Sequence, residues 1–263
     1  MQGRLVPKYR GRYQAHPKGY WRAEFDVAGT EGLELIEFIL DYEDAAENPL
    51  LADPDSVRRA AAETGVQVRS ICADYFMAAP LQRDDDGHDV LARLLDNATT
   101  IGVRDIVIPC VDRSSLATAA ETEAFVTALR PHADHAGRAG VNLALETDLA
   151  PGPFADLLAA IGHPAVTVNY DSGNSAALGF DAAEEFAAYG ARISDIHIKD
   201  RTRGGGPVVL GEGDCDFDLV FGLIAASTFD GPLVMQAYRD DEGVAVFRRQ
   251  KAWLDERYGE ALQ

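Results

Sequence analysis

The chain has 263 residues, 47% of them hydrophobic, and a formal net charge of −19. That much apolar material fills a large core and argues against disorder, while the acidity argues against nucleic acid as a partner, since such affinity comes mainly from Lys and Arg meeting phosphates. No stretch reaches the roughly 20 uninterrupted apolar residues of a membrane helix, and the start, Met1-Gln-Gly-Arg-Leu-Val-Pro, lacks the long apolar segment of a signal peptide.

In chain order, Met1–Leu5 is a first, clipped strand and Leu33–Leu40 reads as a second. Pro54 opens a helix that runs to Thr64 and stops at Gly65, and Val66–Cys72 is strand-like. Asp86–Ile101 places Val90, Leu91, Leu94, Leu95 and Ala98 on one helical face, ends at Gly102, and is followed by the strand Asp105–Pro109. Thr118–Ala139 repeats the helical period and stops at Gly140; Pro131 inside it predicts a kink or a break into two shorter helices. Helices over Pro153–Ile161, Asp181–Tyr189, Phe217–Ala226 and Val244–Tyr258 follow the four remaining strands. The repeated sentence of helix, glycine, polar step and Val-rich strand gives eight βα units, hence a single (β/α)8 TIM barrel of the α/β class over residues 1–263. An open nucleotide-binding sheet would carry a glycine-rich loop after its first strand. The only dense glycine run, Gly204–Gly206, follows the seventh strand and is expected to be a flexible loop over the site.

Those last four strands are Val141–Glu146, Val166–Asp171, Ile193–His197 and Pro232–Gln236, and each ends in a residue that can bind a metal. Tips that converge on the C-terminal end of a barrel are where metal and substrate sit. Three oxygens and one nitrogen suit Mn²⁺ or Mg²⁺ best, with Co²⁺ or Zn²⁺ as alternatives, and suit a thiolate zinc site poorly. Cys72, Cys110 and Cys215 show no CxxC spacing for a disulfide frame or structural zinc, so a cytoplasmic home is expected. Cys72 and Cys110 read as core packing.

Several stretches together resemble the sugar phosphate isomerase/epimerase superfamily, the xylose-isomerase-like barrels, and most of all its L-ribulose-5-phosphate (L-xylulose-5-phosphate) 3-epimerase branch. They are Gln2-Gly-Arg-Leu, Ile36-Glu-Phe, Asn48-Pro-Leu, Ser70-Ile-Cys-Ala-Asp-Tyr-Phe-Met, Leu145-Glu-Thr, Asp171-Ser-Gly-Asn, His197-Ile-Lys-Asp and Leu210-Gly-Glu-Gly-Asp-Cys-Asp-Phe. The resemblance implies one divalent metal on Glu146, Asp171 and His197, with the fourth ligand at Gln236 where the family has a second glutamate. It also implies Glu146 as a catalytic acid/base, Asn174 and Arg203 in substrate-contacting slots (the family has histidine in the first), Glu37 near the substrate, and homodimers or tetramers.

The chemistry implied is isomerisation or epimerisation of a small sugar or sugar phosphate through a metal-stabilised cis-enediolate, which needs a carboxylate to move a carbon-bound proton. Glutamine keeps an oxygen for a metal but exchanges no proton near neutral pH. Epimerisation then needs another acid on the second face, such as Glu37, Asp240 or a metal-bound water. Rival readings are a keto-polyol dehydratase on the same barrel and a non-catalytic sugar-binding homologue. The DNA-repair nuclease branch needs a His-rich three-metal site, which six scattered histidines do not offer. Plainer roles stand beside each assignment: Asp171 as a helix N-cap, Gln236 as a structural hydrogen-bonder, His197 as a barrel-interior imidazole, Lys199 and Arg203 as surface charges, and His132 with His135 on a solvated helix face.

Overall fold

A computed structural model describes residues 5–259. Seven parallel strands form one sheet: β1 (Leu35–Ile39), β2 (Gln67–Cys72), β3 (Asp105–Cys110), β4 (Asn142–Thr147), β5 (Val166–Asp171), β6 (Ile193–Ile198) and, after two short strands described below, β9 (Leu233–Met235). Their spatial order follows the chain, β1-β2-β3-β4-β5-β6-β9. This is a nearly closed TIM barrel. Apart from Leu5, the expected strand Met1–Leu5 lies outside the described residues.

The wall packs because its strands are buried on both sides, with polar side chains such as Asn169, Asp171, Asp195 and His197 among the buried residues. Every residue of β3 and of β5 is buried, as a parallel sheet covered by helices requires. Around it run α1 (Arg22–Thr30), α2 (Pro49–Ala52), α3 (Pro54–Thr64), α4 (Tyr75–Ala78), α5 (Asp86–Ile101), α6 (Ala119–Ala139), α7 (Pro151–Ile161), α8 (Ser172–Leu178), α9 (Ala182–Tyr189), α10 (Phe217–Ala226) and α11 (Val244–Tyr258). The expected stops at Gly65, Gly102 and Gly140 all have left-handed backbones.

α6 corrects one expectation. It runs unbroken through Pro131. Phe125, Val126 and Leu129 before the proline and His132, Ala133 and Ala136 after it are all buried, so burial on both sides supports one continuous helix where a break was the alternative. The proline ring itself is exposed, leaving its ring and the broken backbone bond toward solvent. His132 is a second correction: it is 8% exposed and its Nε2 lies 2.9 Å from Nδ1 of His88, in a stacked pair rather than on a solvated face.

The glycine run is a third. β7 (Asp200–Arg201) and β8 (Pro207–Val208) form a short antiparallel hairpin, with Gly204–Gly206 in its turn. The amide of Gly204 donates to Ala177 O at 2.8 Å, and the Arg201 guanidinium holds Gly205 O through Nε at 3.0 Å and Nη2 at 2.7 Å. The run reaches the mouth of the barrel, as expected, but it is tied down there.

Candidate active site

Period-two alternation puts Asp195 and His197 of β6 on one face, and Asn169 and Asp171 of β5 on the face beside it. Asp171 and His197 are register partners. Both of the sheet's register shifts fall at residues that grip His197: one between Ile36 and Glu37 in β1, the other between Val168 and Asn169 in β5. The imidazole Nε2 lies 3.0 Å from Glu37 Oε2, and Nδ1 lies 3.1 Å from Asn169 Nδ2. Bulges of this kind re-aim side chains.

On the Nδ1 side, Glu146 Oε2 is 3.5 Å and Asp171 Oδ2 3.8 Å from the ring nitrogen. All three residues are buried, and their ligand atoms lie within 4.8 Å of one another. A second acidic set, Glu37 and Asp195, meets the same histidine from below within the same limit. The two sets differ at one residue: Glu146 lines a cavity of about 340 Å³ at the barrel mouth, whereas Asp171, His197, Glu37 and Asp195 are not on its wall.

The electrostatics follow from this crowding. Burial, then the charge of Asp171, pushes the Glu146 carboxyl up to about 7. Burial also acts upward on Asp171, but the Lys199 ammonium and the His197 ring outweigh it and hold this carboxyl well below the usual range. For His197, burial opposes the charge, yet Glu37, Asp171 and Glu146 together raise its pKa. Burial raises Glu37, while His197 and the Ser70 hydroxyl, 2.6 Å away, more than reverse it. Asp195 is pushed well up by burial and by Glu37.

The structure brings Glu146, Asp171 and His197 together. Asp171 is also the expected N-cap, accepting from Asn174 N at 2.7 Å. Gln236 lies one residue past β9, on the cavity wall, and its Oε1 accepts from Lys199 Nζ at 2.6 Å. As a ligand it would have to exchange that ammonium for a cation. Asn174 reaches the cavity and donates to Glu146 Oε1 at 2.6 Å.

Two expected substrate contacts lie off the cavity wall. Glu37 is 1% exposed, with its carboxylate on the imidazole Nε2 of His197. Arg203 is exposed, its guanidinium lying over Gly179, and the arginine on the cavity wall is Arg201.

Sequence reasoning missed four contributors. Lys199 is no surface charge: its Nζ meets Asp171 Oδ2 at 3.2 Å, Asn174 Oδ1 at 3.3 Å and Gln236. Asn169 braces both Glu146, at 2.8 Å, and His197. Both stand two residues from a candidate ligand, so alternation was the available signal. Asp74 lines the cavity, its carboxyl pushed up to about 6 mainly by burial. Asp200, fully buried, accepts the amides of Gly211 and Gly213 at 2.9 Å and of Cys215 at 3.2 Å. That is the physical content of the Leu210-Gly-Glu-Gly-Asp-Cys stretch: a Cβ on Gly213 would sit 2.2 Å from Asp200 Oδ1.

The model of one protein family, the xylose isomerase-like TIM barrel, matches residues 25–257. The chain belongs to that family. Among curated relatives of this barrel, a Salmonella paratyphi A protein named L-ribulose-5-phosphate 3-epimerase UlaE is 28% identical, over 92% of this chain and 91% of its own length. Among solved structures, 3-keto-D-glucoside 4-epimerase YcjR from E. coli superposes with a TM-score of 0.72 at 18% identity, covering 89% of this chain and 94% of its own. A xylose isomerase-like TIM barrel protein from Mycobacterium smegmatis in complex with magnesium gives 0.70 at 18% identity, over 93% and 90%. No helix among the described residues is long and apolar enough to cross a membrane.

Proposed function

We propose that this protein is a divalent-metal-dependent isomerase or epimerase of a small sugar, with Glu146 as its base. The observation that carries the proposal is the meeting of two buried carboxylates and an imidazole, one of which, Glu146, lines the cavity. The donor set fits a hard or borderline cation such as Mn²⁺ or Mg²⁺. A cation there would also relieve the crowding that pushes Glu146 up to about 7. Glu146, Asp171 and His197 would hold it. The names of the relatives support sugar epimerisation as the class of reaction.

When bound, the cation supplies positive charge to offset the oxyanion that develops as a carbonyl enolises. The remaining work belongs to the chain. Glu146 takes the proton from the carbon beside the carbonyl, leaving an enediolate; Asn169 and Asn174 fix the two carboxylate oxygens of Glu146 by donating hydrogen bonds of 2.8 and 2.6 Å. Returning that proton to the neighbouring carbon on the same face moves the carbonyl along the sugar. Returning a proton to the opposite face inverts a centre and needs a second group. Neither Glu37 nor Asp240 lies on the cavity wall; Asp74 and Lys199 do.

The test is NMR of a panel of ketoses in D₂O with Mn²⁺- or Mg²⁺-loaded protein, repeated after chelation. Deuterium entering at one carbon, lost on chelation and without change of product composition, supports the reading and names the reacting carbon. Loss of water from the product would make the protein a dehydratase. Tight sugar binding without exchange would leave a binding protein.

A further inference from the structure

We infer that the cavity takes an uncharged polyhydroxy ketone and discriminates against its phosphate ester. The inference rests on the sugar-isomerase reading and names the substrate class within it. It runs against the phosphorylated ketose in the name of the curated relative.

The cavity wall is asymmetric in charge. From the ends of β2, β3 and β4 come Asp74, Asp112 and Asp148; from the β6 side come Lys199 and Arg201. Both cations are already engaged. The three N–H groups of Lys199 meet three acceptors, Asp171, Asn174 and Gln236. The Arg201 guanidinium spans Gly205 O and, through Nη1 at 2.8 Å, Asn174 Oδ1. A phosphate placed between these walls would have to displace bonds made within the protein, and it would face three carboxyl groups while doing so.

The acidic wall suits hydroxyl groups. Ionised carboxylates only accept hydrogen bonds, and sugar hydroxyls are donors with freely rotating O–H bonds. Asp148 takes a single hydroxyl from the protein, that of Ser115 on Oδ1 at 2.8 Å. Asp74 is braced by Gln14 at 3.1 Å and by the Cys72 thiol at 3.2 Å, so its position is set before any ligand arrives. Asp112 sits at φ +52°, a left-handed backbone. The long-range field acts the same way: a chain of net charge −19 repels an approaching dianion.

Binding of an unreactive pair, an alditol and its monophosphate, measured by calorimetry on Mg²⁺-loaded and metal-free protein, tests this apart from catalysis. The alditol is expected to bind at least tenfold tighter than the ester. The ester alone is expected to gain affinity as salt rises and screens the wall. Asp112→Asn with Asp148→Asn is expected to narrow the ratio severalfold, mainly by improving ester binding. Equal or tighter ester binding, a ratio that the double variant leaves unchanged, or no binding of either compound would overturn the inference. Deuterium exchange of ketoses and their esters alike would overturn it too, while leaving the proposed function standing. Tight alditol binding with no exchange in any ketose would sustain the charge preference and remove the isomerase.

Discussion

Replacing Asp200 with Asn tests whether the loop carrying the Gly-Glu-Gly stretch is held by charge. The carboxylate is fully buried and accepts three amides, two on Oδ2 and one on Oδ1. A carboxamide keeps one acceptor oxygen, which can retain Gly211 and Gly213, but it turns an NH₂ toward the Cys215 amide. Hydrogen bonds to a charged group contribute about 1.5–3 kcal/mol and neutral ones about 1 kcal/mol. One charged bond is therefore lost and two are weakened, a gross cost of about 4 kcal/mol. Relief of the buried charge's desolvation offsets part of it, leaving about 2–4 kcal/mol. Urea unfolding followed by circular dichroism reads the global effect, and amide exchange at Gly211, Gly213 and Cys215 reads the local one. A midpoint within 0.5 kcal/mol of wild type (about the error of such comparisons), with exchange unchanged at all three amides, would refute the anchoring role.

Glu146→Gln is expected to abolish deuterium exchange into substrate while leaving the unfolding midpoint close to wild type; an unchanged exchange rate removes Glu146 as the base. Because burial and Asp171 push its carboxyl up to about 7, protons compete with the cation: Glu146 is expected to contribute about a tenfold fall in Mn²⁺ affinity per pH unit below 7, beside the contribution of His197. In the Glu146→Gln variant calorimetry should find that part of the slope missing. Gly173→Ala places a Cβ 2.7 Å from Lys199 Cγ and 3.1 Å from its backbone carbon, so Lys199 must move. Loss of sugar affinity together with an overpacking cost of about 1–3 kcal/mol is the expected result, and full wild-type affinity would show that the ammonium's position is immaterial. His132, held at about 4 by burial and by the nearby His88 and His135, refuses a proton that the unfolded chain accepts near 6.5. It contributes nothing to pH dependence above 6.5 and destabilises the fold progressively as pH falls from 6.5 to 4, by up to about 3 kcal/mol. The stability difference between wild type and His132→Gln should shift by that amount across the window; a constant difference would place His132 in contact with solvent.

The chain's own pattern determined the βα repeat, the glycine helix stops and the three residues that meet in the candidate site. Each is a local signal: helices reveal themselves by their period, and strand tips by an apolar run that ends in a polar residue. Asp86–Ile101, Phe217–Ala226 and Val244–Tyr258 fall where the periodicity puts them, because each helix buries one continuous face. The tertiary structure alone decided which polar groups share a space. Glu37 and His197 are 160 positions apart, and their contact depends on the barrel closing and on register shifts that no local pattern announces. Lys199 looks like any exposed lysine until Asp171 and Gln236 are brought to it, and Arg201 and Arg203 differ only in which side of a hairpin they face. At Pro131 the break that a local backbone rule allows is absent: the helix continues where residues on both sides of the proline are buried.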